Sequence, residues 1–311
     1  MKDVHSHFIP KEALLWLEQH QHLVSVRREQ LTDNRPDVLI INDTWPFSLS
    51  EAFIDENQHA AAQRKAQIGH TLVSPLPQLF LYNTDPAITS EFAAVYNQGL
   101  IDMMKRSNTR YSGLSTVPLN DPIKAASELK STMKKGLLGS IIGTGIDGTL
   151  LTDERYIPFW EEANRQKAIV FIHPLLSQDK RMNKGKMSTL MGVLWETTVC
   201  AADLLLQGYL DVYPNVRILL AHGGGFLPYQ IGRMSKGYQQ WESVSKNLSA
   251  SPGDYLRKFW FDSVLWNDDA LSFLVKLAGE DRVVPGSDFP FELKDFPPIN
   301  KNLSGWDSLI S

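Results

Sequence analysis

Short apolar segments rich in β-branched residues alternate along this chain with segments of helical periodicity, and this alternation constrains the fold more than any other feature. Each apolar run followed by an amphipathic stretch is typical of a βα unit. Eight candidate strands can be counted: Asp3 to His7, His70 to Leu76, Tyr111 to Val117, Gly139 to Gly143, Ala168 to His173, Val216 to His222, Trp260 to Leu265, and Arg282 to Gly286. Because eight parallel strands close a barrel, the sequence predicts an α/β fold of the (β/α)₈ TIM-barrel type.

Helical segments lie where the crossovers between parallel strands are required. They are Ser90 to Arg106, Pro122 to Lys135, Glu154 to Gln166, Leu190 to Tyr213, Leu227 to Lys246, and Asp268 to Ala278. The passage after strand one, residues 8–69, is too long for one βα unit, so we predict an insertion that covers the top of the barrel. Within it, the run Asp37 to Ile41 predicts a strand or small hairpin. We expect residues 1–311 to form one domain with this lid.

Composition narrows the class of protein. The net charge is −4 and the basic residues are scattered, which argues against a nucleic-acid partner or an anionic membrane surface. Cys200 is the only cysteine, so any metal must be held by His, Asp or Glu. The first residues contain no apolar signal region, and no stretch is expected to span a bilayer. The sequence therefore predicts a cytoplasmic enzyme that acts on small molecules.

Candidate metal ligands lie at the ends of predicted strands. His5 and His7 end strand one, and the two-residue period of a strand places both imidazoles on one face. His173 closes strand five and Asp288 follows strand eight, at the carboxyl end of the barrel where such enzymes keep their active sites. Three imidazoles and one carboxylate suit zinc, and also manganese or iron. The sequence thus predicts one divalent metal, and the donor set alone leaves Zn²⁺, Mn²⁺ and iron open.

His222 ends strand six and is followed by Gly223, Gly224 and Gly225, which leave the backbone open around the imidazole. It could be a fifth ligand or a general acid and base. We favour the second role, because the other four ligands already fill most of the coordination sphere and the chemistry requires a proton partner. The candidate catalytic residues are accordingly His222 and Asp288.

These motifs resemble the amidohydrolase superfamily, in particular its branch of aminocarboxymuconate-semialdehyde decarboxylase-like enzymes. The resemblance rests on five segments that cover most of the chain: Asp3 to His7, Phe171 to Pro174, Glu196 to Thr198, Ala221 to Gly225 with Arg233, and Pro285 to Phe291. It implies a TIM barrel that binds one divalent metal, usually zinc, through His5, His7, His173 and Asp288. It also implies that His222 moves protons.

The resemblance further implies a homodimer in which Arg233 reaches a substrate carboxylate across the interface. Two departures concern the substrate. The stretch Leu39 to Trp45 contains no arginine, although the named decarboxylase has one in the comparable stretch, and Trp195 replaces a small residue beside the pocket. Trp195 and Phe289 are candidate substrate-binding residues, and a substrate other than that of the named decarboxylase is expected.

Two functions follow from this resemblance. The first is a non-oxidative decarboxylase, a carbon–carbon lyase, acting on an aromatic or unsaturated carboxylic acid. The alternative is a hydrolase of an amide, lactone or C–C bond that uses the same ligands with His222 as the base.

Overall fold

Eight short parallel strands form the centre of the structure, which is a computed structural model describing residues 1–29, 37–42, 45–107, 109–299 and 302–310. In chain order the strands are β1 (Lys2–His7), β2 (His70–Ser74), β3 (Tyr111–Gly113), β4 (Gly139–Ile142), β5 (Ile169–Ile172), β6 (Arg217–Leu220), β7 (Trp260–Asp262) and β8 (Val283–Val284). They pair as two parallel sheets, β1 to β3 and β4 to β8. The side chains of β4 and β5 are completely buried, as expected for strands covered on both faces.

Backbone hydrogen bonds join the two sheets at both seams. Between β3 and β4, the Ser115 N–H donates to the Gly139 carbonyl at 2.9 Å, and the Ile141 N–H donates to the Ser115 carbonyl at 2.9 Å. Between β1 and β8, the Val4 N–H donates to the Pro285 carbonyl at 2.8 Å. With both seams bonded, the eight strands form a ring, which confirms the predicted TIM barrel.

Helices follow the strands as crossovers, and several boundaries differ from the prediction. The α-helices that follow β2 to β8 and pack around the barrel are Pro86–Arg106, Pro122–Lys134, Ile157–Gln166, Val193–Leu206, Leu227–Gln240, Asp268–Ala278 and Gly305–Ile310. Shorter ones are Tyr209–Val212, Glu242–Ser245 and Pro252–Tyr255. Asp121 caps its helix by accepting a hydrogen bond from the Lys124 N–H, so this predicted start is confirmed. The predicted helix from Leu190 to Tyr213 is instead a π turn, Ser188–Gly192, followed by two helices.

The insertion after β1 has its own structure. It contains the helices Lys11–Gln19 and Glu56–Lys65 and a three-stranded antiparallel sheet of Val26–Glu29, Asp37–Ile41 and Trp45–Leu49. The predicted run Asp37–Ile41 is the central strand of this sheet. Phe47 and Phe53 of the insertion pack in T-shaped contacts with Phe291, which follows β8. The insertion therefore lies at the carboxyl end of the barrel, where a lid is expected.

One apolar segment is longer than the sequence prediction allowed. The helical segment Ser188–Leu206 is long and apolar enough to cross a membrane by length and composition, whereas no such segment was predicted from the sequence. The segment is the crossover after β5. Its inner side, including Cys200 and Leu204, packs against the barrel core, which accounts for part of its apolar composition.

Candidate metal centre

Four histidines and one aspartate converge at the carboxyl ends of the strands. The Nε2 atoms of His5 and His7 lie 3.0 Å apart, and Oδ1 of Asp288 lies 3.1 Å and 3.3 Å from them. Four side chains each offer one ligand atom, and these four atoms lie within 4.8 Å of one another: those of His5, His173, His222 and Asp288. All five side chains are buried. The structure thus brings together every predicted ligand and the predicted proton-transfer residue.

Hydrogen bonds at Nδ1 set the orientation of three of these imidazoles. Oxygen atoms lie beside each Nδ1: Oδ2 of Asp262 at 2.5 Å from His5, the Pro75 carbonyl at 3.1 Å from His7 and the Pro174 carbonyl at 3.0 Å from His173. When Nδ1 donates its proton to such an oxygen, Nε2 is left as a bare lone pair. In that tautomer the three Nε2 lone pairs are available to a metal beside the Asp288 carboxylate. A divalent cation among these atoms would satisfy all of them.

Two buried atoms support that conclusion. Nε2 of His173 and Oδ1 of Asp288 have no hydrogen-bond partner, although both are shielded from solvent. An unsatisfied polar atom in a buried place costs about 1–3 kcal/mol, so two such atoms side by side indicate a missing partner. The donor set of three imidazole nitrogens and one carboxylate oxygen fits one divalent metal.

The electrostatics of the cluster also favour a cation. Burial opposes a charge on His5, but the carboxylates of Asp288 and Asp262 outweigh it and raise the pKa of this imidazole to about 10. Burial would raise the pKa of Asp288, yet the charge on His5 and the hydrogen bond from His222 to Oδ2 hold it well below its usual range. Burial and the neighbouring imidazoles keep the pKa of His173 far below that of a free histidine. In the metal-free protein His5 therefore keeps a proton between two carboxylates, and a bound metal ion would supply the positive charge there instead.

His222 differs from the other three imidazoles. Its Nε2 faces the second oxygen of Asp288, Oδ2, at 3.5 Å, and its Nδ1 is buried without a hydrogen-bond partner. A proton on its Nδ1 would therefore have no acceptor, whereas a proton on its Nε2 faces the Asp288 carboxylate. An imidazole that carries its proton on Nε2 is suited to proton transfer, whereas a ligand needs a bare Nε2 lone pair.

Two aspartates that the sequence analysis did not single out support the cluster. Asp262 ends β7 and bonds to His5 and to the backbone at His222. Asp3, on β1, accepts hydrogen bonds from the backbone N–H groups of His5 and Ser287 and from the Ser287 hydroxyl. Burial raises the pKa of Asp3 to about 7. An acidic residue at the end of a barrel strand was the signal that could have identified Asp262.

A cavity of about 860 Å³ opens above the cluster, with His173, His222 and Asp288 at its base. Its walls are mainly apolar and come from the insertion and from the segments after β5 and β8, including Phe47, Leu194 and Phe291. Besides the buried Asp288, the charged lining residues that the structure describes are Asp147, Lys186 and Glu292, all of them exposed. This volume suits a small organic molecule.

Three candidate substrate-binding residues lie outside the described lining of this cavity. Trp195 is 43% exposed, because the helix that starts after the π turn points Val193 and Leu194 inward and the next side chain outward. Phe289 is buried against His59 and stacked on Phe296 instead of facing the cavity. Arg233 is exposed on the helix Leu227–Gln240, so within one chain it does not reach the cluster.

Comparison with known proteins agrees with this architecture. A curated 2-amino-3-carboxymuconate-6-semialdehyde decarboxylase of Dictyostelium discoideum is 27% identical over 308 residues, which cover 95% of this chain and 83% of that protein. The crystal structure of Metarhizium anisopliae IDCase in apo form superposes with a TM-score of 0.82 at 22% identity, over 99% of this chain and 88% of that chain.

A second solved structure contains a metal. It is 5-carboxyvanillate decarboxylase of Novosphingobium aromaticivorans complexed with manganese and 4-hydroxy-3-methoxy-5-nitrobenzoic acid, with a TM-score of 0.77 at 21% identity, over 94% of this chain and 86% of that chain. The sequence model of one family, described as Amidohydrolase, matches residues 3–300. This chain, with its cluster of histidines and aspartate in a TIM barrel, therefore belongs to the amidohydrolase family.

Proposed function

We propose that this protein is a metal-dependent, non-oxidative decarboxylase of a small aromatic or unsaturated carboxylic acid. The observation that carries the proposal is the convergence of four buried histidines with Asp288, in which His222 has a buried Nδ1 without a hydrogen-bond partner. The names of the relatives support it, since the Dictyostelium and Novosphingobium proteins are both called decarboxylases. His5, His7, His173 and Asp288 would hold the metal.

The bound metal, His222 and the apolar cavity walls would each have a separate role in the reaction. A bound metal would supply an electrophile that holds and polarises the acid. His222 would donate its proton to the carbon that bears the carboxylate. When the bond from this carbon to the carboxylate breaks, its electron pair stays on the carbon and forms the bond to that proton, and CO₂ leaves. The apolar walls at Leu194 and Phe291 would exclude water from the reacting carbon.

The cavity favours a substrate with one carboxylate and a neutral ring. Lys186, at the exposed rim, is the only cation among the described lining residues, and Asp147 and Glu292 oppose it. Among the described lining residues of one chain, a second buried carboxylate would lack a partner, at a cost of several kcal/mol. The expected result is CO₂ release from hydroxybenzoates that is at least about tenfold faster, in kcat/KM, than from the same rings with a second carboxylate. Equal rates for both would contradict this substrate class, and no CO₂ from any acid tested would contradict the function.

We propose zinc as the metal, because the donor set suits it, with manganese as the alternative, since manganese is bound in the Novosphingobium structure.

Metal binding should depend on pH. It must displace the proton that His5 retains in the metal-free protein, where the pKa of this imidazole is raised. Apparent affinity should therefore rise by about tenfold per pH unit between pH 7 and pH 9, where His5 stays protonated in the metal-free protein. Calorimetry in buffers of different ionisation enthalpy should show about one proton released per metal. An affinity independent of pH would contradict this displacement.

Assembly and location are proposals as well. A homodimer is supported by an exposed apolar strip beside the cavity, formed by Met187, Leu190, Met191 and Trp195. Arg233 would then approach the partner's cavity, as the family resemblance implies. Trp195→Glu should shift the species measured by light scattering from dimer to monomer. A wild-type protein that is monomeric at every concentration would contradict the dimer. Cell fractionation tests the expected cytoplasmic location.

A further inference from the structure

One fully buried carboxylate connects the candidate metal ligands to the proton-transfer residue. Oδ2 of Asp262 accepts hydrogen bonds from Nδ1 of His5 at 2.5 Å and from the backbone N–H of His222 at 2.9 Å. Oδ1 accepts from the N–H of Gly223 at 2.9 Å and from the N–H of Val264 at 3.1 Å. The carboxylate therefore receives four hydrogen bonds, which occupy all of its lone-pair positions.

The backbone that Asp262 holds has an unusual conformation. His222 has a φ of +54°, and Gly223 follows with a φ of +60°. A residue with a Cβ pays roughly 1–2 kcal/mol to adopt this left-handed region. Two successive N–H groups in such a turn point to the same side and form a concavity that binds an anion. The Asp262 carboxylate is the anion here, and it stabilises the turn that aims His222 at Asp288.

The packing around Asp262 leaves it little freedom. A Cβ at Gly286 would come within 2.9 Å of the Asp262 Cβ and 3.0 Å of the His5 Cβ, so the three residues pack at a distance that requires glycine. The carboxylate has no direct access to the cavity, since Asp262 is absent from its described lining. Its influence must pass through His5 and His222.

We infer that Asp262 is a positioning residue that controls two groups at once. It holds the proton of His5 on Nδ1, which leaves the Nε2 lone pair for the metal, and it fixes the backbone of His222, which directs the proton-transfer imidazole. The inference rests on the proposed function for the role of His222. Its metal-binding part does not depend on which reaction is catalysed.

Asp262→Asn tests the inference with almost no change of volume. An amide NH₂ cannot accept a hydrogen bond, so it leaves two backbone N–H groups without an acceptor in one orientation. In the other orientation it donates to Nδ1 of His5 and forces the proton onto Nε2, where it blocks the metal. We expect the affinity for Zn²⁺, measured by competition with a chelator, to fall by about 10- to 100-fold. At saturating metal, kcat should remain lower by about tenfold or more, because His222 is no longer fixed.

Asp3→Asn is the matched control. Asp3 is an equally buried carboxylate on a barrel strand, and it bonds to backbone and to Ser287 without touching an imidazole. This control reports the general effect of losing a buried carboxylate, and it should lower metal affinity much less than Asp262→Asn does. Equal losses in the two variants, or wild-type affinity in a folded Asp262→Asn protein, would overturn the inference. Absence of decarboxylation by the wild type would instead contradict the proposed function and leave the metal measurement valid.

A measurement on the wild-type protein covers the case in which Asp262→Asn does not fold. In the zinc-loaded protein with ¹⁵N-labelled histidines, NMR shows which ring nitrogen carries the proton and how fast that proton exchanges. His5 should carry a slowly exchanging proton on Nδ1, because the proton is buried and bonded to Asp262. A His5 ring whose Nδ1 lacks that proton, or exchanges it as rapidly as an exposed imidazole does, would overturn the inference.

Discussion

Asp288→Asn should remove the metal and the activity together. The substitution keeps the volume of the side chain but removes the charge that faces the Nε2 atoms of His5 and His7 at 3.1 Å and 3.3 Å. Loss of a group that only supports a ligand costs about 10- to 100-fold in metal affinity, so loss of a ligand should cost at least about 100-fold. Metal content per chain after gel filtration, with kcat/KM measured on the same sample, tests this expectation.

Asp307→Asn provides the control for Asp288→Asn. Asp307 is an exposed carboxylate that pairs with Lys2 at the opposite end of β1, so this change should leave the metal content at the wild-type level. If Asp288→Asn retained one metal per chain and wild-type affinity, Asp288 would be removed from the ligand set. The metal would then have to be held by the histidines alone.

His222→Gln and His173→Gln should separate two roles within one cluster. Both imidazoles lie at the base of the cavity after neighbouring strands, but only that of His173 has its Nδ1 bonded to an oxygen. We expect His222→Gln to keep the metal and to lower kcat by about 10² to 10⁴, the usual contribution of a general acid or base. We expect His173→Gln to lose metal affinity. Metal analysis and kcat of both variants, prepared in parallel, give the comparison.

The two variants also address the alternative that the sequence left open, in which His222 is a fifth ligand. His222 belongs to the group of residues whose ligand atoms lie within 4.8 Å of one another, so distance alone does not decide its role. If His222→Gln lost metal as completely as His173→Gln, His222 would be a ligand. Proton transfer would then have to be assigned to another group.

The sequence was sufficient to predict the barrel and the convergence of its strand ends. The two-residue period of β1 places His5 and His7 on one face, and parallel strands bring their carboxyl ends to one side of the barrel. Both rules need only the strand pattern that can be read from the sequence. They therefore predicted that His173 and Asp288 would lie close to the first two histidines, although the four residues are far apart in the chain.

The residues that the sequence did not reveal depend on contacts and on helix phase. Asp262 lies 257 positions from His5, and no local pattern relates the two. Trp195 points to solvent because a π turn, Ser188–Gly192, precedes its helix and alters the direction in which each side chain points. The left-handed backbone at His222 is held by a hydrogen bond to Asp262, which only the folded chain provides.

The most direct test of the proposed function is the fate of the carboxylate. The metal-loaded protein would be incubated with a ¹³C-carboxyl-labelled hydroxybenzoic acid in D₂O enriched in ¹⁸O, and the organic products and the gas would be analysed by mass spectrometry. We predict one ¹³CO₂ per molecule of acid consumed, with one deuterium and no ¹⁸O in the organic product, because His222 delivers a solvent-derived proton to the carbon that lost the carboxylate. Acid recovered unconsumed with its ¹³C label, and without release of ¹³CO₂, from protein that carries one metal per chain would contradict the decarboxylase.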